Sequence, residues 1–368
     1  MIRRYLPKNI DELAQWYMRY ISPIALVGGF VADNLVLLRR VDLWTSNLLL
    51  FSYIALAASC ILLINLIETG RLRAPWLLKV TPLIPVVAQF AFGGLFSGYL
   101  SLYSRSAAFA GSAVFVLLLA ALLLGNERFV RFYMRFSFQM GIFFTVLMSF
   151  FIFFLPVVFR AIGPWIFIAS GLTAVAVFAL FFYMLSKVVP EPVARDRTAV
   201  ARAVAIIFVT FNILYFVGAI PPLPLALKDA GVYHSITRLP EPGFAYRITA
   251  EPKLWYDFIH RYNSNFHYVA GERAYAWSAI FAPTGFSTTI VHEWQSYDVA
   301  RGEWTTTNTV QIPILGGRDG GFRTYSFKTG LSAGEWRVNV LTIYGQLIGR
   351  ISFTVIEGEP PALVELTK

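Results

Sequence analysis

The fold is decided by Ala203–Leu227, whose sequence is AVAIIFVTFNILYFVGAIPPLPLAL. This stretch is the last of seven long apolar runs, and a helix that spans a bilayer needs about 20 such residues. The chain before it is strongly apolar, and the chain after it alternates between apolar and polar residues. As a seventh crossing, it would place everything after about Pro222 on the side of the membrane opposite to the N-terminus.

Six further apolar runs precede it, and Asp33 is the only charged residue inside them. Each run is predicted to be a helix, because lipid offers no hydrogen-bond partner to backbone N–H and C=O groups. A count of five or six helices remains open if one run enters and leaves the membrane on the same side. The six runs are Tyr20–Leu38, Leu43–Ile67, Val80–Ser104, Ser106–Asn126, Phe136–Phe159 and Ala161–Ser186.

The composition indicates a membrane protein and excludes an ordinary soluble one. Of the 368 residues, 57% are hydrophobic and only 14% are charged. The net charge of +10 lies entirely in residues 1–222, while residues 223–368 carry 13 basic and 13 acidic residues. A nucleic-acid partner would need a basic patch on the water-soluble part, so the sequence argues against one. The single cysteine, Cys60, can form no intramolecular disulfide.

Lys and Arg are distributed unevenly between alternate loops. Fourteen lie on the side that includes the N-terminus, and four lie on the other side. Because basic residues concentrate in cytoplasmic loops, we expect a cytoplasmic N-terminus and a periplasmic C-terminal domain in a bacterial inner membrane. Residues 1–18 are expected to be a cytoplasmic segment rather than a signal peptide, since acidic residues precede the first apolar run.

Five polar residues in or beside the apolar runs are candidates for a binding site, because polar groups are costly in hydrocarbon. Asp33 and Arg40 lie two turns apart on one helix face, and an ion pair or a helix cap would also explain them. Gln89, Tyr103 and Arg105 follow each other toward the outer end of the third run. Together with Asp33, they are predicted to line an outward-facing polar pocket.

No recognised catalytic motif is found in the sequence. Ser97 cannot form a Ser–His pair within the membrane, because no histidine precedes His234. His292 and Glu293 lack the second histidine of a zinc motif, since Ser296 stands at that position. The sequence therefore predicts no catalytic residue, no metal site and no cofactor.

The last third of the chain alternates with a period of two, which is typical of strands with one buried face. Six or more short runs of this kind predict an antiparallel β-sandwich. The glycine-rich segment Gly316–Gly321 between two runs is interpreted as a hairpin turn. The predicted domains are a cytoplasmic segment at 1–18, a seven-helix membrane domain at 19–222, a connector rich in proline and aromatic residues at 223–271, a periplasmic β-sandwich at 272–358 and a tail at 359–368.

Four residues of the predicted sandwich are binding candidates: His292, Trp294, Arg318 and Arg323. His292 lies on the same side of its strand as Ile290 and Trp294, which favours a hydrogen-bonded histidine in the core. The alternative is a binding site that His292 forms with Trp294, Arg318 or Arg323.

The run HEW…IPILGGRDGGFRTYSFKT…GEWRVNVLTIYGQLIGRISFTV resembles the bacterial family of unknown function DUF2914. The matching features are the His-x-Trp strand at His292, the turn at Gly316–Arg318, the strand at Arg323–Ser326, the Trp336-x-Val338 pattern and the closing pair at Gly345–Val355. The stretch QFAFGGLFSGYLSLYSRSA looks like the multi-helix region that accompanies this domain. The resemblance implies an inner-membrane protein with a terminal β-domain, and it implies no activity.

Two functions of different classes follow as hypotheses. The first is a scaffold whose outer domain binds an envelope protein, a glycan or another copy of the chain. The alternative is an enzyme or transporter that acts on a lipid-linked substrate at the outer leaflet, with an arginine holding a phosphate or carboxylate. In that case Asp33 would act as a base. A sensor is a third hypothesis, although the cytoplasmic loops are short. The lipid bilayer is a partner in every case, and homo-oligomerisation is left open.

Overall fold

The computed structural model describes residues 9–33, 35, 42–106, 109–129, 132–240, 245–253 and 262–368. The chain divides into two compact units. One unit comprises Met1–Arg105 with Ala113–Ile220, and the other comprises Ser106–Ser112 with Pro221–Lys368. Over the described ranges, the first unit is helical and the second contains the strands.

Helices occupy the N-terminal region that the apolar runs predicted. Within the described ranges they are α1 (Ile10–Trp16), α2 (Ser22–Ala32), α3 (Trp44–Glu68), α4 (Pro75–Val80), α5 (Ile84–Ser106), α6 (Phe109–Asn126), α7 (Phe136–Phe159), α8 (Pro164–Val188) and α9 (Pro190–Phe216). A π-helical turn at Tyr17–Ile21 joins α1 to α2, and a 3₁₀ turn at Thr81–Leu83 joins α4 to α5. The segment from α4 to α5 is thus nearly continuous helix.

Among the residues that the structure describes, five segments are long and apolar enough to cross a membrane. They are Trp44–Glu68, Pro75–Ser106, Phe136–Phe159, Pro164–Val188 and Pro190–Phe216. Among the described residues, the first predicted run contains the 11-residue α2 and the end of the π-helical turn, and the fourth contains a shorter apolar helix at Gly111–Asn126. Helices suited to a membrane are therefore confirmed, and the count of seven crossings stays a prediction.

The last apolar run differs from its prediction at both ends. α9 begins at Pro190, where proline suits the first turn of a helix, and it ends at Phe216 rather than at Leu227. Gly218 follows with a φ of +76°, and the prolines that come next lack the N–H that a helix requires. The first strand already begins at Ala226, inside the predicted run.

α7 is the most deeply buried of the five long segments. Its phenylalanines supply much of the packing, and Phe144 and Phe150 are fully buried. The hydroxyl of Tyr99 on α5 donates to the backbone carbonyl of Val146 on α7 at 3.0 Å. This bond satisfies a buried phenol, because an unpaired hydroxyl in apolar surroundings costs stability.

Strands make up the C-terminal region. In the described part of the chain they are β1 (Ala226–Tyr233), β2 (Ser235–Arg238), β3 (Tyr246–Ala250), β4 (Asn265–Tyr268), β5 (Ala274–Phe281), β6 (Ser287–Asp298), β7 (Glu303–Leu315), β8 (Phe322–Lys328), β9 (Gly334–Thr342), β10 (Leu347–Glu357) and β11 (Val364–Thr367). They form sheets of order β1-β5-β8, β4-β10-β9-β6-β7 and β11-β3-β2. The pairing is antiparallel except between β10 and β4, so a β-rich region with antiparallel sheets is confirmed.

Residues 223–271, which the sequence treats as a connector, contain β1, β2, β3 and β4. β1 pairs with β5 and β4 pairs with β10, so this stretch completes the sheets instead of only linking two domains. The predicted tail likewise contributes β11, which pairs with β3. The pattern of period two is interrupted in β1 because Lys228 and Asp229 lie where the pairing register shifts.

The β1-β5-β8 sheet and the five-stranded sheet share a hydrophobic core. Trp277 from β5 and Trp294 from β6 are fully buried, together with Val338 from β9 and Ile351 from β10. These residues occupy alternate positions along their strands, and alternate side chains point to the same face of a sheet. In these four strands the pattern also identified the buried face, whereas in β8 the alternating Tyr325 and Phe327 are exposed.

The segment Gly316–Gly321 connects β7 to β8, which belong to different sheets, so it is not the hairpin turn that the sequence favoured. A Cβ atom on Gly316 would lie 2.0 Å from the carbonyl oxygen of Pro283 and 2.7 Å from that of Ala282. A Cβ atom on Gly320 would meet its nearest neighbour, a side-chain nitrogen of Arg323, only at 3.9 Å. Close backbone packing therefore requires a glycine at Gly316 and does not require one at Gly320.

We expect Gly316→Ala to destabilise the β-rich unit by about 1–3 kcal/mol, because the added methyl group forces two backbone segments apart. Gly320→Ala is the matched control and should change the stability by less than about 0.5 kcal/mol. Urea unfolding of the full-length protein in lipid particles, followed by pulse proteolysis of the β-rich unit, measures both. Equal losses in the two variants would contradict the packing argument.

Candidate functional sites

A cavity of about 250 Å³ lies within the helical unit, between α2, α3, α5 and α6. Much of its wall is apolar, and Phe30, Tyr53 and Phe90 contribute aromatic rings. Gly29 and Gly93 also line it, which leaves room where larger side chains would fill the space. A mostly apolar cavity with a few polar groups is typical of a site for a small ligand.

Asp33 lies at one end of this cavity and is only 4% exposed. The Ser97 hydroxyl on α5 donates a hydrogen bond to its carboxylate, so the structure brings the first and third apolar runs together here. The predicted partner Arg40 lies outside the described residues. Among the residues that are described, no Lys, Arg or His lines the cavity.

The other polar end is formed by Glu127, Ser22 and Gln89. The Ser22 hydroxyl lies 2.7 and 3.0 Å from the two carboxylate oxygens of Glu127, and Gln89 Nε2 donates to Ser22 Oγ at 3.0 Å. Asn126 Nδ2 donates to the Gln89 carbonyl at 2.9 Å. Gln89 is 3% exposed, and its side-chain oxygen Oε1 has no hydrogen-bond partner in the described structure. The cavity thus presents acceptors at both ends.

Two of the predicted pocket residues, Asp33 and Gln89, line the cavity, and two do not. The Tyr103 hydroxyl instead donates to the Ser149 carbonyl on α7 at 2.8 Å, and Arg105 near the end of α5 does not line the cavity. Successive helical positions point in different directions, so proximity in sequence did not make these residues neighbours of Asp33. Ser22 and Glu127 were not predicted, because polar residues at the ends of apolar runs are ordinary.

His292 is fully buried in the β-rich unit. Its Nε2 lies 2.8 Å from Ser278 Oγ and its Nδ1 lies 2.9 Å from Ser326 Oγ, which also accepts a hydrogen bond from Trp294 Nε1 at 2.9 Å. Burial lowers the pKa of His292 to about 4, so the ring is neutral at pH 7. Both ring nitrogens lie within hydrogen-bond distance of a serine, which fits the hydrogen-bonded core histidine that the sequence favoured.

The two predicted arginines lie elsewhere in the unit. The Arg318 guanidinium lies 5.4 Å from the centre of the Phe322 ring. Arg323 lines an open cleft of about 440 Å³ with Asp229 and Lys368, whose Nζ donates to Asp229 Oδ2 at 2.6 Å. His292 does not line this cleft, so the structure does not form the shared histidine–arginine site that was the alternative prediction.

A buried carboxylate that the sequence did not single out is held by two histidines. Glu251 Oε1 lies 3.1 Å from His234 Nε2 and accepts a hydrogen bond from the His267 backbone N–H at 2.6 Å. Its Oε2 lies 3.0 Å from His267 Nδ1 and accepts from Asn263 Nδ2 at 3.3 Å. Burial raises the pKa of Glu251, but the hydrogen bonds from His234 and His267 outweigh it and lower the pKa overall. In the part of the chain that the structure describes, no group of three or more His, Cys, Asp or Glu residues is arranged to hold a metal ion.

A second unpredicted group covers the face of the five-stranded sheet opposite to the core. We call this group the arginine face; its residues are Glu293, Gln295, Trp304, Thr306, Arg337, Asn339 and Arg350. Asn339 Nδ2 donates to Glu293 Oε2 at 2.9 Å and to Gln295 Oε1 at 3.1 Å. Gln295 Nε2 donates to Thr306 Oγ1 at 3.0 Å. These bonds hold polar side chains of three neighbouring strands in fixed positions.

The two arginines are held within this network by one nitrogen each. Arg337 Nε donates to Gln295 Oε1 at 2.6 Å, and Arg350 Nε donates to Asn339 Oδ1 at 2.7 Å. The Arg337 guanidinium also lies 4.1 Å from the centre of the Trp304 ring. Burial lowers the pKa of both arginines. Within the described structure, their terminal nitrogens have no hydrogen-bonded protein acceptor, so they can bind an external one.

The comparisons with known proteins give one family. No curated protein matches the chain. A solved structure, alkylpurine DNA glycosylase AlkC of Pseudomonas fluorescens bound to DNA containing an abasic site analog, is 11% identical to the chain with a TM-score of 0.22. That alignment covers 77% of this chain and 83% of the other, and so low a score carries no argument. Residues 287–355, from β6 to β10, match the family described as "Protein of unknown function (DUF2914)".

Proposed function

We propose that this protein is a multi-pass inner-membrane protein whose β-rich unit lies in the periplasm and binds an acidic glycan. The observation that carries this proposal is the pair of guanidinium groups of Arg337 and Arg350. Each is fixed through Nε, and within the described residues its terminal nitrogens have no hydrogen-bonded acceptor. Guanidinium groups bind carboxylate and phosphate oxygens well because their donors form a planar fork. The protein would then present a glycan-binding surface at the membrane, which is the scaffold role.

The neighbouring aromatic residues support a sugar as the ligand. Trp304 of the arginine face lies next to Tyr297, with ring centres 5.3 Å apart. An exposed aromatic ring offers the apolar side of a sugar a flat contact. A protein interface is expected to have an apolar centre, whereas the arginine face consists of hydrogen-bonded polar groups. An acidic glycan is therefore a better match than an envelope protein or a second copy of the chain.

The proposed topology has seven crossings, with α2 and α6 added to the five long apolar segments. In this arrangement the N-terminus is cytoplasmic, because basic residues concentrate in the loops on that side. The β-rich unit then follows the seventh crossing on the periplasmic side. We interpret the β1-β5-β8 sheet and the five-stranded sheet as the layers of a β-sandwich, because Trp277 and Trp294 from these two sheets share one core.

Glycan binding can be tested with full-length protein in lipid particles. Polygalacturonate, a carboxylated polysaccharide, should bind, and neutral dextran should not. Arg337→Gln and Arg350→Gln should each weaken binding about tenfold or more, since each removes charge-assisted hydrogen bonds. Arg301→Gln, which removes the same charge from a side chain that is 70% exposed, is the matched control and should leave binding unchanged. Equal losses in all three variants would show that only net charge matters and would reject the site.

The topology can be tested by cysteine accessibility, because the native chain has only the buried Cys60. Thr305→Cys places a thiol at an exposed position of β7. A membrane-impermeant maleimide should label this variant in intact spheroplasts, and the parent chain is the control for background labelling. Labelling that appears only after lysis would put the β-rich unit in the cytoplasm and overturn the proposed topology.

The alternative, an enzyme or transporter for a lipid-linked substrate, has weaker support. It relied on an arginine beside Asp33 to hold a phosphate or carboxylate. Among the described residues that line the cavity of Asp33, none is basic. An anionic headgroup would meet the carboxylates of Asp33 and Glu127 there, and like charges repel each other. The residues of the cavity therefore favour the scaffold role over this alternative.

A further inference from the structure

We propose that the cavity in the helical unit binds the protonated primary amine of a ligand. This inference does not depend on the glycan-binding site, since the two sites share no residue. Three features of the cavity point to it: two carboxylates that face no described cation, a buried acceptor that lacks a donor, and aromatic rings in the wall.

Donors and acceptors do not balance within the cavity. Asp33 and Glu127 offer four carboxylate oxygens, while Ser97 and Ser22 supply one hydroxyl proton each. One side-chain N–H of Gln89 donates a hydrogen bond to Ser22 Oγ. Since Ser22 has a single proton, it satisfies only one of the two Glu127 oxygens at a time. Among the hydrogen bonds that these residues make in the described structure, acceptors therefore outnumber donors.

The unpaired oxygen of Gln89 is the strongest sign of a missing ligand group. Gln89 is only 3% exposed, and its Oε1 has no hydrogen-bond partner in the described structure. A buried acceptor without a donor costs stability, and most such groups in native proteins are paired. Because Gln89 lines the cavity, a donor bound there would satisfy this oxygen.

An ammonium group fits these requirements better than other donors. It carries three N–H donors and a positive charge, which matches Gln89 Oε1 and the carboxylate of Glu127 at the same end of the cavity. Carboxylates buried among membrane helices are costly unless they are paired, so a cation would stabilise them. The rings of Tyr53 and Phe90 add attraction for a cation, because aromatic faces are electron-rich. A quaternary ammonium has the charge but lacks the N–H donors that Gln89 Oε1 requires.

Two sources can supply this group: the headgroup of phosphatidylethanolamine and a free amine. The experiment uses full-length protein in lipid particles of phosphatidylethanolamine, phosphatidylcholine or phosphatidylglycerol, with retained lipid measured by native mass spectrometry. Selective retention of phosphatidylethanolamine would identify a lipid source. Saturable binding of ethanolamine in phosphatidylcholine particles, without lipid selectivity, would identify a free amine. Equal retention of phosphatidylcholine and phosphatidylethanolamine, without ethanolamine binding, would overturn the proposal.

Two variants separate amine binding from folding. Glu127→Gln should weaken binding about tenfold or more, because a charge-assisted hydrogen bond becomes a neutral one. Gly29→Leu fills the cavity without touching the polar groups, since a Cβ atom on Gly29 meets nothing within 4 Å. It should abolish binding while the protein stays folded. Gly28→Leu is the matched control, because its Cβ is equally unobstructed and Gly28 does not line the cavity. Normal binding by Gly29→Leu, or equal loss in both glycine variants, would reject this cavity as the site.

Discussion

Replacing Glu251 with alanine should destabilise the β-rich unit by about 3–5 kcal/mol, because it removes a buried carboxylate and leaves its hydrogen-bond partners without an acceptor. The carboxylate is bonded by His234 and by His267 and Asn263, which come from two separate parts of the chain. Without it, the His267 backbone N–H and the buried side chain of His234 lose their acceptor. A buried donor without a partner carries its full desolvation cost.

The measurement is urea unfolding of full-length protein in lipid particles, read by pulse proteolysis of the β-rich unit. Glu335→Ala, on an exposed position of β9, is the matched control and should change stability by no more than about 0.5 kcal/mol. A loss below about 1 kcal/mol for Glu251→Ala would mean that water replaces the carboxylate without cost. In that case the cluster would not hold β3 and β4 in place.

Acid should remove part of this contribution. The folded pKa of Glu251 is lowered below its ordinary value of 4.5, so the folded state favours the ionised carboxylate more than the unfolded state does. Its contribution to stability is complete above about pH 4.5 and declines as the pH falls through the folded pKa. In Glu251→Ala this decline should be absent, so the difference between the two stability curves should become smaller at low pH.

The sequence predicted the large features because hydrocarbon and sheet packing impose regular patterns. The apolar runs that contain α3, α7 and α8 correspond to helices within a few residues at each end. The alternation at Trp294, Val338 and Ile351 identified the core face of the five-stranded sheet. Where backbone chemistry competed with hydropathy, the prediction failed: α9 stops at Phe216 because glycine and prolines follow it.

The candidate sites were less predictable, because they depend on contacts between distant residues. Glu251 meets His234 and His267 in a region where few residues alternate, so nothing in the local pattern marked it. Arg337 and Arg350 occupy outward positions of alternating strands, where charged residues are ordinarily solvated. Asp33 was recognisable by contrast, since a carboxylate within an apolar run is rare whatever its neighbours are.

Lowering the pH from 6.5 to 4 should cost the β-rich unit about 3 kcal/mol through His292 alone. The pKa of this histidine is 6.5 in the unfolded chain and about 4 in the folded protein, because burial disfavours the charged ring. The unfolded state therefore takes up a proton that the folded state resists. The contribution of neutral His292 is complete above pH 6.5, falls as the pH drops below that value, and is exhausted near pH 4.

The His292→Gln variant isolates this effect, since glutamine is polar but does not titrate. Urea unfolding between pH 7.5 and 4 should give a steep decline for the parent chain and a flatter one for the variant. The variant is also expected to be less stable at pH 7.5, because one amide cannot reproduce both ring contacts to Ser278 and Ser326. The difference between the two curves is the informative quantity. Parallel curves between pH 6.5 and 4 would show that the serines and Trp294 rearrange to accommodate a charged ring, and that the core does not depend on a neutral His292.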